Sequence, residues 1–151
     1  MEDRRSRAVG TFTVFDHTAD VGLDVRAESL EDLMATAGRA MFDQVLEDWP
    51  AEVDSRRQVR ARPPTGLEGD LAELLVDWLQ ELLYRFETER LVPLEYDFQC
   101  VGPRDVRAEV GFGRFDPAVH RTRLEVKAVT YHGLQVRQDA GGWSARFILD
   151  V

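Results

Sequence analysis

Residues 11–28 read TFTVFDHTADVGLDVRAE, and their pattern decides the fold. Thr11–Asp16 alternates in polarity and is rich in β-forming residues, which predicts a strand. The stretch 22–28 puts Leu23, Val25 and Ala27 on one face and Asp24 and Arg26 on the other, the signature of a half-buried strand. If the HTAD segment, residues 17–20, turns the chain between them, the two strands pair antiparallel. Asp16, His17 and Asp20 then gather at the turn.

A helix follows. Ser29 and Asp32 resemble a capping box with Asp in place of the usual Glu. Leu30, Leu33, Met34, Ala37, Ala40, Met41 and Val45 recur at helical spacing. Gly38 in the middle is expected to let this helix approach a sheet closely. A second, longer helix is predicted after Asp70. Leu71, Leu74, Leu75, Trp78, Leu79, Leu82, Leu83 and Phe86 form its apolar stripe, with Glu73, Asp77, Gln80, Glu81 and Arg85 opposite. Between the helices, residues 51–62 alternate but carry many charges, as an edge strand does. A turn is expected at Pro63–Gly66. After the second helix the pattern predicts strands at 94–101, 104–112, 123–131, 133–139 and 143–149, with turns at Gly102-Pro103, Gly133 and Ala140–Gly142. Strands with two helices inserted early predict an α+β fold: two layers, a mixed or mainly antiparallel sheet, both helices on one face.

The chain has 151 residues, 44% hydrophobic and 31% charged, which suits a single globular domain (residues 11–151) behind a flexible tail, residues 1–10. The net charge of -9 opposes direct contact with phosphate backbones or anionic lipid. Nucleic acid would be met only indirectly or through a local basic patch. One cysteine, Cys100, excludes an internal disulfide and a cysteine zinc motif. The polar N-terminus and the lack of a long apolar run read as a cytoplasmic protein with no membrane segment.

The candidate chemistry sits at the two ends. Oxygen-rich ligands at the HTAD turn suit a hard cation, but alone this is a weak signal, and turn hydrogen bonds from Asp16 and Asp20 are the commoner use of such residues. Asp150 follows the apolar run Phe147-Ile148-Leu149, which is expected to anchor a last strand and so fix a carboxylate that would otherwise fray. If that strand pairs near the first hairpin, Asp20 meets Asp150, and their repulsion favours a cation between them. A solvated terminal Asp is the plain alternative. Lys127 is the only lysine. On a strand its head points to solvent or to a phosphate or partner acid, and alternation would put it with Val129 and Tyr131. His120 and His132 flank that segment without zinc spacing. No phosphate-cradling glycine loop or nucleophile elbow is present.

Taken together, FDHTADVGLDVRAESLEDL, AMF, LAELLVDWLQELL, VKAVTYHGLQV and the closing FILDV resemble the archease family in order and spacing, from about Phe12 to Val151. The resemblance implies a small α+β protein that binds a divalent cation (Ca²⁺, Mg²⁺ or Mn²⁺) and is not itself an enzyme. It implies a role assisting an RtcB-type RNA ligase in tRNA splicing or RNA repair, by promoting guanylylation and repeated turnover. Carried onto this chain, the implied metal ligands are Asp20, Asp150 and Val151. His17, Lys127 and His120 are implied as supporting or partner-contacting groups. A metal-dependent phosphoester hydrolase and a general chaperone are the rival readings.

Overall fold

The computed structural model describes residues 5–6, 10–17, 20–62, 70–102 and 104–151. Its elements run β1 (Arg5–Ser6), β2 (Thr11–His17), β3 (Asp20–Ala27), α1 (Leu30–Val45), β4 (Ser55–Ala61), α2 (Leu71–Glu89), β5 (Leu91–Gly102), β6 (Asp105–Arg114), β7 (Ala128–Asp139) and β8 (Gly142–Asp150). The predicted hairpin forms: β2 and β3 pair antiparallel from Thr11↔Arg26 to His17↔Asp20. Thr18 and Ala19 at its tip, the expected Pro63–Gly66 turn, Pro103 and most of the expected tail lie outside the described residues. Within that tail, Arg5 and Ser6 pair with Asp97 and Tyr96 of β5.

The fold is α+β and its strand pairs are antiparallel. The strands divide, however, into two four-stranded sheets, β1-β5-β6-β4 and β2-β3-β8-β7. This corrects the expectation of one sheet with both helices on one face. α1 packs on β3 and β8 of one sheet and on β5 of the other; α2 packs on β7 of one and on β4 and β5 of the other. The reason lies in α1, which buries Leu33, Met34, Ala35, Thr36, Ala37, Gly38, Ala40, Met41 and Phe42 and leaves a polar stripe of Asp32, Arg39 and Asp43 unburied. An apolar surface that wide around a helix needs more cover than one sheet face supplies. No described helix is long and apolar enough to cross a membrane.

Local chemistry sets the helix ends. The Ser29 hydroxyl accepts from the Asp32 N–H at 3.1 Å, and an Asp70 carboxylate oxygen accepts from the Ala72 N–H at 3.0 Å. Each satisfies a backbone donor that the first turn leaves open. α2 stops at Arg90, whose φ of 58° is left-handed. Gly38 does allow the close approach its position suggested. A Cβ there would lie 2.6 Å from the Tyr96 hydroxyl of β5 and 3.2 Å from Leu82 of α2. The helices are also joined by Trp78, whose indole N–H donates to the Met34 carbonyl at 3.1 Å.

β7 departs from the sequence pattern. Two strands with a turn at Gly133 were expected; one strand forms, and its register jumps from Thr130↔Ile148 to Gln135↔Arg146. Residues 131–134 are thus set against Phe147 alone, with Gly133 at φ +65°, a bulge that absorbs the turn signal. Upstream, β8 ends at Asp150, opposite Ala128. Residues 123–127 therefore have no strand to continue against, and they are not a strand. Alternation fails there too: Lys127 is exposed while Val129 is buried.

Asp77 on α2 keeps a buried carboxylate oxygen with no hydrogen-bond partner. Burial first, and then the charge of Glu73, raise its pKa. The folded chain therefore holds this proton more tightly than the unfolded chain. The associated stability is present at low pH and is lost as pH rises through the raised folded pKa. Asp77→Asn is expected to raise the melting temperature by about 2–4 °C at pH 7, and by less at pH 4, where the wild-type group is already protonating. Thermal melts at the two pH values check this.

Candidate functional site

The register of β3 and β8 builds the site. Eight successive pairs run from Ala27↔Trp143 to Asp20↔Asp150. The inward residues Leu23, Val25, Phe147 and Leu149 are buried, and this apolar lock fixes the register, since a slip of one residue would turn all of them to solvent. Asp20 and Asp150 are consequently direct cross-strand partners. Directly opposed residues of an antiparallel pair share one face, with Cβ atoms about 4.5–5.5 Å apart. Asp20 is half-buried and Asp150 exposed.

Two further contacts hold the end of β8. The Lys127 N–H donates to the Asp150 carbonyl at 2.7 Å, and Val151 packs against the core. The last acid is thereby anchored, as the apolar run before it suggested. His17 lies opposite Asp20 by its backbone, at the other side of the same row. The structure thus brings Asp20, Asp150, Val151 and the backbones of His17 and Lys127 together. His120 is placed elsewhere: its N–H donates to the Asp116 carbonyl at 2.7 Å, its Nδ1 accepts from the Asp116 N–H at 2.9 Å, and its ring packs on Phe115. Those bonds assign it to the loop after β6.

A support for the row went unread in the sequence. The ring of Phe15 lies over Gly22, where an added Cβ would clash with the ring. The Arg146 guanidinium sits 4.7 Å from that ring's centroid and is held by Asp24 through two hydrogen bonds of 2.7 and 2.9 Å. Gly22 and Phe15 were visible in the motif, but their contact follows only from the 15↔22 register. Arg146 and Asp24 are 122 residues apart, beyond any local pattern. Gly22→Val is expected to displace the ring and destabilise the fold by about 1–3 kcal/mol, read as a lower melting temperature.

Whether these residues fit a cation can be judged from their chemistry. Like charges set directly opposite across strands destabilise a pair, and a cation relieves that repulsion. The donors are oxygens, as hard divalent ions require. Among the described residues no group of three or more His, Cys, Asp or Glu gathers to hold a metal. The row offers two carboxylates, fewer than the roughly six to eight oxygens a hard cation such as Ca²⁺ takes. Their chemistry fits such a cation only where main-chain oxygen, water or a partner's groups fill the remaining positions.

Comparison with known proteins gives the family. Residues 12–151 match the Archease protein family (MTH1598/TM1083). Protein archease of Methanosarcina mazei is 31% identical over 144 residues, 93% of this chain and 95% of the relative. Protein archease of Methanopyrus kandleri is 32% identical over 139 residues, 90% and 96% of the two chains. The solution structure of Methanobacterium thermoautotrophicum protein 1598 superposes with a TM-score of 0.71 at 30% identity, covering 93% of this chain and 98% of that one. Because the family match begins on β2 and runs through Asp150, it takes in both acids of the row, and the chain belongs to the archease family.

Proposed function

We propose that this chain is a metal-binding accessory protein that activates an RtcB-type RNA ligase, promoting its guanylylation and its repeated turnover in tRNA splicing or RNA repair. The observation that carries the reading is the register pairing of Asp20 with Asp150 in a member of the archease family. Asp20, Asp150 and a main-chain oxygen of Val151 would hold Ca²⁺, Mg²⁺ or Mn²⁺. Bound there, the ion supplies positive charge for phosphate or nucleotide oxygens.

The residues of the chain then have distinct parts. Asp20 and Asp150 set the charge of the row. Phe15, Gly22 and Arg146 keep the β2–β3–β8 surface rigid beside it. Lys127 offers an exposed ammonium one residue before the strand that flanks Asp150. A partial ligand set suits a helper more than a hydrolase, since the partner can complete the coordination. The net charge of -9 favours encounter with the basic surface an RNA ligase needs, and weakens competition for the RNA itself. The test is ligase guanylylation measured with and without this chain, under conditions of many turnovers. Stimulation is expected. Its absence, or phosphoester turnover by the isolated chain, contradicts the proposal.

A further inference from the structure

Four strands stand at sheet edges: β1 and β4 in one sheet, β2 and β7 in the other. An open edge is a template for another strand unless something blunts it. β1 is described at Arg5–Ser6 and carries a charged residue there. β4 carries Arg56, Arg57 and Arg60, and Arg85 of α2 caps the Gln58 carbonyl. β7 is bent by its bulge, and Gln80 of α2 donates to the Val129 carbonyl. Among the described residues, β2 shows none of these devices from Thr11 to Phe15. From Thr11 to Phe15 it holds no charge and no proline, and it pairs with β3 without a break. Among the described residues no strand lies on its other side. Thr11 and Thr13 are exposed, and Val14 is 49% exposed although it shares a face with the core-packed Phe12.

We infer that β2 is the docking edge for a second copy of this chain, the two β2 strands pairing antiparallel about a two-fold axis at Thr13. Self-complementarity selects this occupant. With Thr13 opposite its counterpart, Phe12 of one copy faces Val14 of the other, Thr11 faces Phe15, and Asp16 faces Gly10. Phe12 and Val14 form an apolar pair on either side of the axis, uncharged threonines lie at and beside it, and the one acid meets a glycine. Centring the axis on Val14 instead would set Phe12 against Asp16. Two chains of net charge -9 repel over most of their surfaces. The uncharged run of β2 lets their backbones approach without opposing carboxylates. The outcome is one eight-stranded sheet across both copies, an isologous contact. A contact of one strand pair is smaller than the roughly 1,200 Å² of a stable interface, so association is weak and concentration-dependent.

Sedimentation velocity from roughly 5 to 500 μM is expected to show monomer passing to dimer. Val14→Lys, at an exposed position, is expected to raise the dissociation constant about tenfold or more with an unchanged circular dichroism spectrum. In a Cys100→Ser background, Thr13→Cys is expected to give a disulfide-linked dimer on mild oxidation. Thr11→Cys is not, because its two copies would stand about 13 Å apart along the strands. Monomer throughout, dimerisation undiminished by Val14→Lys, or cross-linking at Thr11 equal to that at Thr13 overturns the inference. None of these readouts depends on a ligase.

Discussion

Asp150→Ala is expected to cut stimulation of ligase guanylylation by at least about tenfold, and Asp20→Ala to do the same, the scale on which metal sites respond to a lost ligand or its support. The two acids come from opposite ends of the sequence but from adjacent strands, directly paired. Removing either leaves one carboxylate, too little charge to hold a hard ion against water. For Asp150 the effect is separable from the fold. Asp150 is exposed at the end of β8, and its backbone bond to Lys127 survives truncation of the side chain. Both variants are expected to keep the wild-type circular dichroism spectrum. Since opposed like charges destabilise a strand pair, Asp150→Ala is expected to melt no lower than wild type without added metal. Asp→Asn variants separate charge from shape: the amide keeps the volume and one oxygen, so retained stimulation would argue for a hydrogen-bonding role instead. Lys127→Ala is expected to weaken stimulation without lowering stability, because the ammonium is exposed.

The largest effect on stability is expected at Trp78. Its side chain is fully buried, it lies 5.5 Å from Phe98 and 6.1 Å from Tyr96 between ring centroids, and its N–H donates to the Met34 carbonyl of α1. One residue therefore joins both helices to β5. Trp78→Ala removes the packing and the hydrogen bond together and is expected to destabilise by about 3–5 kcal/mol. For a chain of this size that lowers the melting temperature by more than about 6 °C. Trp78→Phe keeps most of the ring but not the donor, and is expected to fall between. Thermal melts of the three proteins decide the order. If Trp78→Phe matches Trp78→Ala, the bond to Met34 matters more than the packing.

Much of this was legible before any coordinates. The β2–β3 hairpin and α2 follow from short-range periodicity, and Gly38 announced a close approach that Tyr96 and Leu82 make. The second sheet was not legible. Ala35, Thr36, Ala37 and Ala40 are small enough to be covered on any side, so the sequence of α1 does not say how many faces are buried. β7 misled for a different reason: polarity alternates through residues 123–127, but alternation cannot show that β8 ends at Asp150 and leaves nothing to pair with. The meeting of Asp20 and Asp150 could be stated only conditionally, since it depends on which strand receives the chain's last segment. Arg146 and Asp24 were invisible for the same reason. Local sequence encodes elements, and long-range register has to be seen.

The proposed function requires Asp20 and Asp150 to bind one divalent cation together. Calorimetric titration of the wild-type chain with Ca²⁺ and with Mn²⁺, repeated on folded Asp20→Ala and Asp150→Ala, tests it most directly. The expected result is a single site in the wild type that is lost in both variants. No binding by the wild type, or binding undiminished in the two variants, contradicts it.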